Sequence, residues 1–232
     1  MDETALSPLP LFHGLTPAQL RGLLPALRAR EGSVPKNTVI LHAGDTARSM
    51  GLVLSGGVRV ELDDAWGNKS VLSHIGPGGL FAETYACLSG QPLLVSAVAT
   101  QDSRLLFLDA RALLDPADPV RAKVLANLLR ISLRKNLELS RRILHTTSKT
   151  IRGRLSSYLS EQALLAGADR FTIPFNRQQL ADYLGVDRSA LSNELSKLRR
   201  DGMLTFSRST FALSSCSLEP GNACNTPENP VK

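Results

Sequence analysis

Cysteine is scarce and scattered in this chain: Cys87, Cys216 and Cys224 lie far apart, and no CxxC pair is present. Neither a disulfide framework nor a zinc knuckle is indicated. No apolar run approaches the ~18 residues a membrane-spanning helix needs. The acidic start, Met1-Asp2-Glu3, is followed by no apolar signal core. The expectation is a soluble, cytoplasmic protein with no membrane partner. His13, His42, His74 and His145 are isolated, without a His-x-His cluster and a nearby glutamate. That absence argues against a cupin-type metal enzyme, so no catalytic and no metal residue is assigned.

What is present is an adequate core and an uneven charge. A hydrophobic share of 43% over 232 residues permits one large or two modest domains. The net charge is +6, but residues 1–129 carry 11 Lys/Arg against 12 Asp/Glu, whereas residues 130–208 carry 15 against 7. A neutral front half joined to a basic back half points to a polyanion that meets only the back half.

The local patterns divide the chain further. Thr16 as N-cap and Pro17 at the first helical position open a short helix with Leu20, Leu23, Leu24 and Leu27 on one face. Short β-like runs follow: Thr38–Leu41, Gly51–Leu54, Val58–Leu62, Ser70–Ile75, Leu93–Ala99 and Arg104–Leu108. Glycine turns separate them, at Gly44-Asp45, Gly56-Gly57, Gly67-Asn68 and Gly76-Pro77-Gly78-Gly79. This spacing predicts an antiparallel roll of the jelly-roll kind, able to hold one small ligand. Beyond the Asp115-Pro116 turn a helix is predicted over about 120–148. It carries two adjacent apolar stripes, one with Leu125, Leu129, Leu133 and Leu137, the other with Val124, Leu128, Ile131, Leu139 and Ile143. Two stripes exceed what one partner can cover, so the helix should pack on its own domain and on a second subunit. Val124, Leu125, Leu128, Leu129, Ile131 and Leu133 are the candidate dimer contacts. The alternative is one wide face covered within the subunit.

Residues 176–200 read NRQQLADYLGVDRSALSNELSKLRR. Asn176 and Gln179 form a capping box for a short helix over about 177–184, with Phe175 and Leu180 as a staple. Gly185 stops that helix, and Asp187 caps a longer one that runs to Arg200. A helix, a tight glycine turn and a longer helix make a helix-turn-helix. Leu204–Phe206 and Thr210–Leu213 add a hairpin wing. On the open face of the second helix, Arg188, Ser189, Ser192, Asn193 and Lys197 can bond base edges or phosphates, with Arg177, Gln178 and Arg208 flanking.

Taken with PLFHGL at 10–15, GLVLSGGVRVEL at 51–62, FAE at 81–83 and SAVA at 96–99, this pattern resembles the Crp/Fnr family of bacterial transcription regulators over about residues 9–214. The resemblance implies an α+β chain with four parts. These are a β-roll effector domain like those that bind cyclic nucleotides (1–115), a dimerisation helix (116–149), a winged helix-turn-helix (150–214) and, read from its Pro/Asn/Gly-rich composition and lack of periodicity rather than from the resemblance, a disordered tail (215–232). It implies a homodimer on palindromic promoter DNA, working with RNA polymerase as activator or repressor. It also implies a small-molecule effector held by Ala82, Glu83, Thr84, Val95, Ser96, Leu139 and Ser140.

Two departures narrow the effector. Members that bind cyclic nucleotides use G-E-L and then R-S or R-T around the phosphate, where backbone N–H groups, a hydroxyl and an arginine meet the anion. Here the matching residues are Ala82-Glu83-Thr84 and Val95-Ser96, and the next basic residue along is Arg104. Valine in place of arginine argues against cyclic AMP. Iron–sulfur members need about four thiolates, and no cysteine precedes Cys87 here, which argues against a cluster. Haem stays open, as in a gas or redox sensor, with the four histidines, Met50 and Cys87 as candidate axial ligands. An architectural DNA-binding protein is the rival of another class, and it would have no use for a pocketed domain.

Overall fold

The computed structural model of the chain describes residues 2–63, 69–88, 90–114 and 118–214. The tail read as disordered and the Gly67-Asn68 and Asp115-Pro116 turns lie outside them. The chain forms two compact units, Met1–Arg134 and Lys135–Lys232.

The first unit opens with α1 (Glu3–Leu6), a 3-10 turn (Pro10–Phe12) and α2 (Pro17–Ala26). Thr16 caps α2 in a capping box: its hydroxyl accepts from the Gln19 amide at 3.3 Å, and the Gln19 side chain accepts from the Thr16 amide at 2.9 Å. Eight strands follow: β1 (Arg30–Val34), β2 (Val39–Leu41), β3 (Met50–Ser55), β4 (Val58–Asp63), β5 (Lys69–Ile75), β6 (Leu80–Phe81), β7 (Ser96–Ala99) and β8 (Ser103–Leu108), with the short helix α3 (Glu83–Leu88) after β6. They make two antiparallel sheets, ordered β1-β8-β3-β6 and β2-β7-β4-β5.

Alternation along β8 explains how the first sheet is covered on both faces. Leu106 and Leu108 join Met50, Leu52 and the α2 leucines in one core, while Leu105 joins Val53, Val58, Phe81 and Ala97 in a second. Side chains of successive strand residues point to opposite faces, so one strand serves two cores. The sequence reading missed β1, β6 and α3.

The long helix α4 (Pro119–Thr146) starts in the first unit, and the unit boundary falls inside it. Val124 and Leu128, grouped in the sequence reading with the subunit contacts, are instead buried in the first unit's own core, and Ile131 is half-buried against it. Asn127 shows why this half of α4 faces inward: it is 5% exposed and its amide donates to the Leu11 and His13 carbonyls at 3.1 and 2.9 Å. Leu129, Leu133 and Leu137 stay open, at 57%, 58% and 52% exposure.

The second unit holds α5 (Ile151–Ala166), β9 (Arg170–Thr172), α6 (Arg177–Leu184), α7 (Arg188–Arg200), β10 (Leu204–Ser207) and β11 (Thr210–Leu213). The last three strands form one antiparallel sheet in the order β10-β11-β9. Leu155, Leu159, Leu180, Leu184, Leu191, Leu195 and Leu198 share its core, with Ala181 fully buried. Among the described residues no helix is long and apolar enough to cross a membrane.

Gly51 is tightly packed: an added Cβ would stand 2.1 Å from the Phe81 ring. Gly51→Ala should therefore displace Phe81 and destabilise the roll by about 1–3 kcal/mol, the usual cost of overpacking a core. Urea unfolding of the full chain, followed by circular dichroism, checks this; an unchanged midpoint would show that Phe81 can move freely.

Candidate nucleic-acid interface and effector site

Two capping motifs set the helix-turn-helix. The Asn176 side chain accepts from the Gln179 amide, and the Gln179 side chain accepts from the Asn176 amide, both at 2.9 Å. Gly185 adopts φ +64°, a conformation that costs other residues strain, and so ends α6. The Asp187 carboxylate then accepts from the amides of Ser189 and Ala190 at 2.8 and 3.0 Å and from the Ser189 hydroxyl. The Ser189 hydroxyl and those amides hold the Asp187 carboxyl below its usual pKa.

Arg188, Ser189, Asn193 and Lys197 are exposed on α7, and Ser192 is half-exposed. The structure qualifies what each can offer. Ser189 gives its hydroxyl hydrogen to Asp187, and Ser192 gives its own to the Arg188 carbonyl at 2.9 Å. Each oxygen keeps acceptor capacity, so these serines are suited to receive a bond from a base or sugar. Arg188 and Asn193 can present their planar groups outward. Lys197 lies 3.5 Å from Glu194, one turn away.

The flanking residues have structural work as well. The Arg177 guanidinium sits over the Phe206 and Phe211 rings at 5.2 and 5.9 Å and donates to the Arg208 carbonyl at 3.4 Å. Burial there lowers its pKa from the usual guanidinium range. Arg199 covers Phe206 as well, at 5.3 Å. Phe206 thus links the start of α6, the end of α7 and the wing through cation–π contacts. Gln178 donates to Asp182 at 2.8 Å. Arg208 is exposed at the wing tip with φ +52°. Beside it, Arg170, Thr205, Ser207 and Thr210 line an open groove.

Sequence reasoning missed Arg152. It donates to Glu194 at 3.0 Å and also pairs with Asp201, so one α5 side chain braces α7 and its C-cap. Its partners lie more than 40 positions away, and no local pattern announces such a contact.

The effector candidates divide between the units. Leu139, 61% exposed, and Ser140 sit on the second unit's part of α4; the other five belong to the first. Ala82 adopts φ +58°, at the position where the nucleotide-binding cassette has glycine. The loop keeps the backbone that glycine allows, although its residue has changed. Glu83 and Ser96 are buried, Val95 is half-buried and Thr84 is exposed. The Ser96 hydroxyl accepts from the Ala43 amide at 3.1 Å.

Arg104 does not replace the missing arginine. It lies on β8, in the other sheet, and pairs with Glu31 at 2.5 Å. Another group missed in the sequence is Glu61, 3% exposed and opposite Ser96 in the β4–β7 register. Arg59 donates to it at 2.7 Å. A buried carboxylate stands on the strand beside the serine that would meet a phosphate.

The candidate haem ligands differ in their surroundings, and Cys87 is half-buried. His13, His42 and His74 are exposed, and Met50 is sealed in the core. Both ring nitrogens of His145 are engaged, by Tyr183 and Glu161. Among the described residues, no three His, Cys, Asp or Glu side chains group as metal ligands.

Two family models match the chain: a cyclic nucleotide-binding domain over residues 31–117 and a Crp-like helix-turn-helix domain over 153–214. The chain is 30% identical over 213 residues to the cyclic AMP receptor protein of Thermus thermophilus, covering 90% of this chain and 94% of that protein. It is 29% identical over 182 residues to the transcriptional regulator SdrP of the same organism, covering 73% and 85%. Among solved structures, CprK complexed with OCPA shares the fold at a TM-score of 0.63 and 15% identity, over 84% of this chain and 88% of that one.

Proposed function

The chain belongs to the Crp/Fnr family of effector-responsive, DNA-binding transcription regulators, and on that premise we propose that it binds palindromic promoter DNA as a homodimer, working with RNA polymerase. The observation that carries this reading is the open leucine stripe of α4, Leu129, Leu133 and Leu137. Three leucines at four-residue spacing, each more than half exposed, are suited to a copy of the same helix. Two recognition helices set on half-sites about 34 Å apart require such an axis. Leu133→Glu should give monomers in sedimentation and weak DNA binding. Dimers that persist unchanged would remove α4 as the interface.

Base reading rests on Arg188 and Asn193, which are suited to bidentate contacts with guanine and adenine, each worth about 1–3 kcal/mol of discrimination. Arg208 holds phosphate. On an operator selected in vitro by the protein, Arg188→Ala or Asn193→Ala should relax preference at particular positions. Arg208→Ala should weaken all sequences alike and flatten the salt slope by about one unit. If Arg188→Ala leaves affinity and preference intact, α7 is not the reading helix.

The effector we propose is a small molecule other than cyclic AMP, although a relative is named for that nucleotide. Val95 supplies no cation, Arg104 is held by Glu31 on the other sheet, and Glu61 stands opposite Ser96 with Arg59 on its carboxylate. Without a charge-assisted bond worth roughly 1.5–3 kcal/mol, the cyclic phosphate lacks its main anchor. Calorimetry with cyclic AMP should show no micromolar binding; binding that Ser96→Ala abolishes would overturn the assignment.

A further inference from the structure

Helix α4 ends at Thr146 and α5 begins at Ile151, with residues 147–150 non-helical between them. Alone, such a break would let the end of α4 swing against the helix-turn-helix. Contacts within the second unit oppose that freedom. The Arg142 guanidinium donates to the carbonyls of Tyr183 and Asp182, both at 3.0 Å, and lies 5.8 Å over the Tyr183 ring. Almost one turn further on, His145 is 3% exposed. Its Nδ1 is 2.9 Å from the Tyr183 hydroxyl and its Nε2 is 3.0 Å from Glu161. Arg141 holds the same carboxylate at 3.2 Å, and the Tyr158 ring meets the imidazole edge-on at 5.4 Å.

These bonds fall on groups that need them. The last carbonyls of a helix have no partner within it. In α6 the Gly185 and Val186 amides serve the Asp182 and Ala181 carbonyls. The Tyr183 carbonyl is served by Arg142, and those of Leu184 and Gly185 by Arg154 of α5, at 3.0 and 3.1 Å. Cations are favoured at a helix C-terminus, so the turn of the helix-turn-helix is capped by guanidinium groups from two other helices.

We propose that Arg142 and His145 form a latch that makes the last two turns of α4 one body with α6, and that they are positioning residues for DNA recognition, acting through Tyr183. A rotation of α4 then reaches the helix-turn-helix directly instead of being absorbed at residues 147–150. The positioning role rests on the DNA-binding reading above; the latch does not.

Hydrogen exchange on the full-length protein tests the latch without DNA. In the natural sequence, amides 139–146 should open together with those of α6. In the Arg142→Met/His145→Leu double variant they should exchange at least about tenfold faster, while α5 and α7 keep their protection. His145→Gln, whose amide can donate to Glu161 and accept from Tyr183, should restore most of the protection that His145→Leu loses. On DNA selected by the natural protein, the double variant should lose at least about tenfold of its preference over unrelated DNA, with an unchanged salt slope. Amides 139–146 exchanging independently of α6 in the natural protein would overturn the latch. Protection lost without any change in preference would overturn the positioning role alone. If the double variant loosens α5 and α7 too, the single variants decide between these outcomes. A natural protein with no sequence preference would remove the DNA reading and the positioning role with it, leaving the exchange result to judge the latch.

Discussion

One helix must satisfy three surfaces, and the rest of the molecule is arranged around how α4 does it. At 28 residues it is about 42 Å long, far more than one small core can cover. Its first half is fixed by apolar burial, with Val124 and Leu128 in the core, and by the buried Asn127 amide on the Leu11 and His13 carbonyls. Its last turns are fixed by polar chemistry, through Arg142 and His145 on α6 and α5. Between these anchors along the helix runs the stripe of exposed leucines, Leu129, Leu133 and Leu137. Burial is non-directional and sets which face points inward, whereas the hydrogen bonds fix rotation about the helix axis.

The charge of the back half has to be read with the same care. A net +8 over residues 130–208 suggests a surface given over to a polyanion, yet several of those cations are structural. Arg142 and Arg154 cap α6, Arg152 braces α7, and Arg177 and Arg199 cover Phe206. Arg130, Arg134, Lys149, Arg170, Arg188, Lys197, Arg200 and Arg208 remain exposed. The internal use still serves DNA recognition, because a recognition helix is useful only when its angle to its neighbours is fixed. Phosphate contacts set register and orientation, and base contacts then read sequence.

The elements legible in the sequence are those whose signals are local. The ends of α6 and α7 fall at the predicted residues because Asn176 with Gln179, Gly185 and Asp187 each act within four positions. The α2 leucines are all buried, as their spacing requires. β1 was not legible because Arg30–Val34 contains Gly32 and Ser33 and no alternation; its place comes from pairing with β8, far along the chain at Ser103–Leu108. β6 is two residues long. Within the candidate sites, the exposed face of α7 could be listed from periodicity. That Ser189 and Ser192 have committed their hydrogens could not, since it depends on rotamers. The division of α4's stripes likewise depends on which side the N-terminal segment occupies, and that is a long-range fact.

The loop before α3 shows how a backbone frame is kept while the side chains on it differ. Ala82 holds φ +58° although an L-residue there costs roughly 1–2 kcal/mol relative to glycine. A strained position of this kind persists only where its surroundings over-determine the backbone. Here those surroundings are β6, paired with β3, on one side and α3 on the other. The frame that presents Glu83 is therefore set by packing, and the side chain it presents is free to diverge. Replacing one arginine by Val95 and placing Glu61 opposite Ser96 alters the charge of the site without touching the frame. Likeness of fold does not carry a ligand with it; the side chains presented on the frame decide which chemistry an effector there must have.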